Sequence, residues 1–107
     1  MTTFDKREEG FEKKFALDEE QKFKAEARRN RLLGLWAAEK LGISGDAANI
    51  YAKEVVAAEF GEGGDAAVVR KVTGDLSAKG MAITEAQVRK EMTELMAQAV
   101  AQVKAGK

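Results

Sequence analysis

Glycine is the residue that most constrains how this chain can fold, because the sequence contains ten glycines and no proline. Glycine must therefore provide the breaks between regular elements, because it both ends helices and forms tight turns. Between the glycines the sequence is rich in alanine, leucine, glutamate, lysine and glutamine, all strong helix formers. No window of the 107 residues shows the strict alternation of a half-buried strand. The sequence predicts an all-α chain.

Four segments show apolar residues at helical spacing, and they cover roughly residues 18–41, 44–60, 65–80 and 84–103. Gly42 is the predicted stop of the first helix, and Ser44 or Asp46 is the predicted N-cap of the second. Gly74 is a weak point inside the third helix. The fourth opens with TEAQ, a capping-box pattern that begins at Thr84. Short glycine connections favour antiparallel neighbours, so we predict a small four-helix bundle.

Each predicted helix has one apolar face that can contribute to a shared core. The residues assigned to these faces are Leu32, Leu35, Trp36 and Leu41 in the first helix, Ile50, Tyr51, Val55, Val56 and Phe60 in the second, Val68, Val69, Val72 and Leu76 in the third, and Val88, Met92, Leu95, Ala99 and Val103 in the fourth. Trp36, the single tryptophan, is interpreted as a core or half-buried anchor.

Charge is concentrated at the N-terminal end, where residues 1–31 hold 17 of the 36 charged residues. We therefore expect residues 1–19 to be disordered or frayed in the free protein, and residues 20–107 to form the bundle domain. The formal net charge of zero gives no general attraction to nucleic acid, which we do not expect as a partner. No stretch approaches the roughly 18 apolar residues of a membrane span, so membrane insertion is not expected either.

The chain contains neither histidine nor cysteine, which removes the commonest general base, nucleophile and metal ligands. Cysteine-free composition also fits a reducing cytoplasm. The sequence GEGG at residues 61–64 lacks the GK[ST] ending of a phosphate-binding loop, and Glu62 would repel phosphates. We interpret GEGG as an interhelical turn. We therefore expect that the protein is not an enzyme and that it needs no cofactor or metal.

Residues 4–19 read FDKREEGFEKKFALDE and combine ten charged residues with three phenylalanines. On a helical wheel Phe4, Phe11 and Phe15 fall within about 40° of one another. Flanking charges that can support the same helix are those of Arg7, Glu8 and Lys14. A helix this short is marginal in water, and Gly10 weakens it by about 1 kcal/mol relative to alanine.

We interpret this phenylalanine stripe, Phe4, Phe11 and Phe15, as the anchor of a helix that folds in a partner's groove. The alternative is that the stripe docks on the chain's own bundle. A second feature is the basic run ARRNR at residues 27–31. Acidic neighbours disfavour nucleic acid there, so Arg28, Arg29 and Arg31 are interpreted as a solvated face or a secondary contact with the partner.

The run ARRNRLLGLWAAEKLG at residues 27–42, together with the charged segment upstream, resembles the zeta subunit of alphaproteobacterial ATP synthases. The stretches SGDAANIYAKEVVAAEF and GDAAVVRKV are similar to the same family, so the resemblance covers nearly the whole chain. Members of this family are small helical inhibitors of the enzyme's catalytic head. The resemblance implies that the chain inhibits ATP hydrolysis and that residues 1–19 are its inhibitory element.

By the same resemblance, the N-terminal element inserts at a catalytic interface between the alpha and beta subunits, near the gamma subunit, and blocks the rotation that hydrolysis drives. The remaining residues form a bundle that presents this element. The implied location is cytoplasmic, peripheral at the inner membrane face. From the residues alone an alternative stays open, a helical adaptor that binds an unrelated cytoplasmic protein through the same stripe.

Overall fold

The computed structural model describes residues 17–106, and within this range the chain forms helices and no strand. The helices are α1 (Glu19–Leu41), α2 (Gly45–Ala58), α3 (Asp65–Ala78) and α4 (Glu85–Lys104). Each observed boundary lies within two residues of the predicted one. The all-α four-helix prediction is therefore confirmed for the described chain. The whole phenylalanine stripe lies outside the described residues.

Two capping boxes set where α1 and α4 begin. Asp18 accepts a hydrogen bond from the backbone N–H of Gln21 at 2.7 Å, and the Gln21 side chain accepts one from the backbone N–H of Asp18 at 3.3 Å. Thr84 and Gln87 repeat the arrangement at α4, with distances of 3.1 and 2.8 Å. At the other end of α1, Gly42 adopts the left-handed conformation, with φ of 77°. Local sequence signals thus define these helix ends.

The core lies where α1 packs along α2 and α4, and α3 closes one side. Its buried members come from every helix and include Leu33, Ala37, Tyr51, Val55, Val68, Val69, Val72, Leu76, Val88, Met92 and Leu95. Trp36 is half-buried against this cluster, as predicted. The ammonium group of Lys40 lies 4.9 Å from the Trp36 ring centroid, so the exposed side of the ring has a cation–π contact.

Two residues that we assigned to the apolar face of α2 are instead exposed. Ile50 is 58% exposed and Phe60 is 67% exposed. Because α2 ends at Ala58, Phe60 lies in the following turn and leaves the helical register. The buried face of α2 is formed by Tyr51, Ala52 and Val55.

Helices α1 and α2 approach each other closely at Gly34 in α1. A Cβ atom built there would lie 2.6 Å from the Cα atom of Ala52 in α2. Such a distance is shorter than real Cβ contacts, so α1 and α2 can pack this closely only because Gly34 has no side chain. By contrast, α3 runs unbroken through Gly74, where an added Cβ would meet nothing within 4 Å.

Candidate functional site

The main predicted site lies outside the described residues. Its members are Phe4, Arg7, Glu8, Phe11, Lys14 and Phe15. Their role stays a prediction from the sequence. Downstream of them, Asp18 caps the start of α1. Any partner that binds the N-terminal segment therefore has the beginning of α1 nearby.

The three arginines of the basic run do not share one surface. Arg31 is exposed, and Arg28 is half-buried and donates a hydrogen bond to the side chain of Gln102 in α4 at 3.2 Å. Arg29 is only 7% exposed and points into the protein. The prediction that Arg29 belongs to a solvated or partner-binding face is therefore not supported, because its guanidinium is held by internal partners. Arg28 and Arg31 remain candidates for a secondary contact.

Arg29 is the centre of a polar cluster that joins three helices. Its Nη2 atom donates to Glu59 Oε1 at 3.0 Å and to Asp65 Oδ1 at 2.7 Å. The fully buried Asn30 accepts from Arg29 through Oδ1 and donates to Glu59 through Nδ2, each at 3.1 Å. Since Glu59 follows α2 and Asp65 begins α3, the cluster fastens the α2–α3 turn onto α1.

The two carboxyl groups of this cluster have opposite pKa shifts. Burial, together with a hydrogen bond to Asp65, raises the pKa of Glu59 above its usual 4.5. Burial alone would also raise the pKa of Asp65, but its hydrogen bonds with Glu59 and Arg29 outweigh burial and lower that pKa below 3.8. The pair therefore retains a proton more readily on Glu59 and loses one more readily from Asp65.

A second polar contact joins α2 to α3. The Tyr51 hydroxyl donates to Asp75 Oδ2 at 2.8 Å, and Lys71 Nζ donates to the same oxygen at 3.2 Å. Burial and the nearby Asp75 carboxylate raise the pKa of Tyr51. The phenol therefore stays protonated as a donor at physiological pH, and this contact is a structural one.

A groove of about 890 Å³ runs beside the start of α1, between α1, α2 and α4. Phe23 lines this groove, and its ring contacts that of Phe60, with centroids 6.2 Å apart and ring planes at 44°. We call this surface the aromatic–basic groove; its cationic lining residues are Lys24, Arg28, Arg31 and Lys53. We did not identify this groove from the sequence. The available signal was the position of Phe23, which stands between Lys22 and Lys24 and outside the apolar face assigned to α1.

Within residues 17–106 no group of three or more acidic side chains is placed to hold a metal ion. In the same part of the chain, no helix is both long enough and apolar enough to cross a bilayer.

Comparison with known protein families shows which family the chain belongs to. The family model described as ATPase inhibitor subunit zeta matches residues 1–102, which includes both the N-terminal segment and the bundle. The chain belongs to the ATPase inhibitor subunit zeta family. Membership in the zeta family supports an ATPase-inhibitory role, which is regulatory and not catalytic.

The bundle of this zeta-family chain is also similar to a solved structure, described as a solution NMR structure. The two chains are 56% identical, and the match covers 79% of this chain and 96% of that chain, with a TM-score of 0.68. No curated protein matches the chain.

Proposed function

We propose that this chain inhibits ATP hydrolysis by the rotary ATP synthase through its N-terminal segment. The segment inserts as a helix at a catalytic interface of the alpha and beta subunits, beside the gamma subunit, and blocks rotation. The observation that carries the proposal is the extent of the family match, which begins at residue 1 and so includes Phe4, Phe11 and Phe15. The bundle presents the segment at the cytoplasmic side, peripheral to the inner membrane.

The balance of free energies favours a helix that forms only on the partner. Burial of the three phenylalanine side chains stabilises the segment only when another surface covers them. Ordering its backbone costs conformational entropy in either case. A groove on the ATPase head supplies the missing contacts, as in other complexes where an amphipathic helix fills an apolar groove. Because the bundle has buried residues from all four helices, the stripe is not required to supply its core.

The double variant Phe11→Ala with Phe15→Ala tests this proposal. We expect it to abolish inhibition of ATP hydrolysis by the purified catalytic head, because both central anchors are lost. Thermal unfolding of the bundle, followed by circular dichroism, should be nearly unchanged. Inhibition equal to that of the parent would contradict the anchor model. Loss of several kcal/mol of stability would show that the stripe packs on the bundle.

Gly10→Ala is the matched variant in the same segment. It keeps every anchor and improves helix propensity by about 1 kcal/mol, so it should inhibit at about fivefold lower concentration.

Pull-down with the parent chain should capture the alpha, beta and gamma subunits. Capture of an unrelated cytoplasmic protein in their place would favour the adaptor function.

A further inference from the structure

The aromatic–basic groove is lined by Phe23, a large apolar side chain that stays in contact with solvent. Among residues 17–106 the large apolar side chains with high exposure are Phe23 at 58%, Ile50 at 58% and Phe60 at 67%. Phe23 and Phe60 contact each other, so their exposed faces form one patch. Clustered exposed aromatics mark interaction sites more often than scattered ones do, because aromatic rings dominate binding energetics.

The charged side chains that line the groove are all cationic, whereas the small pocket between Phe23 and Phe60 is also lined by Glu26 and Glu59. The groove lining includes the cations Lys24, Arg28, Arg31 and Lys53, and no carboxylate among residues 17–106. Lys24 is paired with Glu20 at 3.1 Å, but both side chains are more than half exposed, so a partner's carboxylate can compete for the ammonium group. A surface of this kind is complementary to apolar side chains edged by carboxylates.

The charge pattern disfavours two other occupants of the groove. Residues 1–17 of the chain itself contain four acidic and four basic side chains, so the part of the N-terminal segment that precedes the cap of α1 offers no net negative charge to the groove. A second copy in a symmetric dimer would bring the same cations against each other, since a two-fold interface pairs each patch with itself. A different protein with an acidic surface is the better match.

The groove also lies within reach of whatever binds the N-terminal segment. Phe23 follows Phe15 by eight residues. Even a fully extended chain of eight residues spans at most about 28 Å. A partner that holds Phe15 therefore has its neighbouring surface close to Phe23 and Phe60.

We propose that the aromatic–basic groove is a second docking surface for the ATPase catalytic head. It takes an apolar, carboxylate-edged surface next to the site that receives the N-terminal segment. This inference rests on the proposed function and extends it, because the bundle becomes a binding element in addition to a carrier. Phe23 and Phe60 supply the apolar contact, and the cations orient the approach.

The full-length double variant Phe23→Ala with Phe60→Ala tests this docking surface. We expect the dissociation constant for the purified catalytic head to rise about 10- to 100-fold, because two aromatic contacts are lost. Ile50→Ala is the matched control, since Ile50 is as exposed as Phe23 but does not line the groove; its dissociation constant should change less than about twofold. Circular dichroism should show both variants folded.

The charge-reversal variant Lys24→Glu with Lys53→Glu gives a second readout that does not depend on the aromatic residues. We expect the variant to associate with the head about tenfold more slowly than the parent at low salt. The parent's association rate should depend on salt concentration, and the variant's should not. Association at the parent's rate and salt dependence would overturn the electrostatic part of the proposal.

Further outcomes separate this inference from the proposed function. If the parent chain does not bind the head, the proposed function fails, and this inference with it. If the parent binds and inhibits but the Phe23 and Phe60 variant binds equally well, only the second docking surface is overturned. Tighter binding by that variant would show that the N-terminal segment occupies the groove. Loss of self-association alone, measured by sedimentation, would show that a second copy does.

Discussion

At the residue scale, Arg29 fixes the position of the α2–α3 turn more selectively than a hydrophobic contact could. Its guanidinium contacts Glu59 and Asp65 while Asn30 completes the hydrogen bonding, so the turn between α2 and α3 has one preferred position on α1. Buried ion pairs of this kind add little net stability, because desolvation offsets most of the attraction. Their effect is to make wrong arrangements costly, since a displaced turn would leave the buried guanidinium unpaired.

The raised pKa of Glu59 predicts a specific pH dependence. A carboxyl group whose pKa is higher in the folded state than in the unfolded state stabilises the fold when it is protonated. For Glu59 this contribution is fully present below the unfolded-state pKa of 4.5, and it is lost as pH rises through the folded-state pKa. Glu59→Gln mimics the protonated form at every pH. We therefore expect the stability of the variant relative to the parent to increase as pH rises above 4.5. Urea unfolding between about pH 4 and pH 8 measures this difference.

Glu62→Gln is the control, because Glu62 is an exposed carboxylate in the same turn region. Its unfolding free energy should stay parallel to that of the parent across the range. A Glu59→Gln difference that is constant with pH would contradict the assigned shift. Asp65 acts in the opposite sense: its contribution is present above 3.8 and is lost as pH falls through its lowered folded-state pKa.

The burial of Arg29 could be predicted only in part from the sequence. Ala25, Arg29 and Leu33 are spaced by four residues, so helical geometry places Arg29 on the same face as two fully buried residues. Its membership in a run of arginines suggested a surface instead. The carboxylates that make its burial tolerable come from α2 and α3, and no local pattern in the sequence shows that those residues meet it.

At the scale of helices, packing between α1 and α2 depends on one missing side chain. Gly34→Ala would place a Cβ atom 2.6 Å from the Ala52 backbone, so the helices must separate. We expect a loss of about 1–3 kcal/mol in unfolding free energy, although alanine is the better helix former. Urea denaturation provides the measurement.

Gly74→Ala is the matched substitution within α3, where the new Cβ would meet nothing within 4 Å. It should stabilise the protein by about 0.5–1 kcal/mol, because only helix propensity changes. Equal effects at Gly34 and Gly74 would show that the close approach of α1 and α2 is not required for stability.

Helix bounds were predictable because capping boxes and glycine stops are local signals. Helix contacts were less so: Gly34 gave no hint in the sequence that it marks a close approach. Ile50 and Phe60 were placed on the buried face from spacing alone, but α2 ends before Phe60 and its register no longer applies. Which apolar residues stay exposed is decided by how the helices meet, and that is a tertiary property.

At the scale of the whole molecule, the central prediction concerns the first twenty residues. Their backbone amides should exchange rapidly in the free protein and become protected when the catalytic head is added, because the helix forms only on the partner. Hydrogen exchange followed by mass spectrometry measures both states. Amides around the fully buried Leu33 should be protected in both states and serve as the internal reference.

Protection of the first twenty residues in the free protein would contradict this expectation and favour docking of the stripe on the bundle. Protection that appears only in the mixture, and is lost in the Phe11→Ala with Phe15→Ala variant, would connect the folding of the segment to its anchors.

The capping box at Asp18 has a mechanical consequence. Asp18 is in an extended conformation, with ψ of 176°, and both cap hydrogen bonds close off the start of α1. One unbroken rod from residue 4 into α1 would have to give up that cap, which costs about 1 kcal/mol. While the cap holds, the chain enters α1 through an extended residue, so α1 does not continue as one helix toward the N-terminus. Under the proposed mechanism, a force on the inserted segment would act on this extended residue before it reaches the bundle.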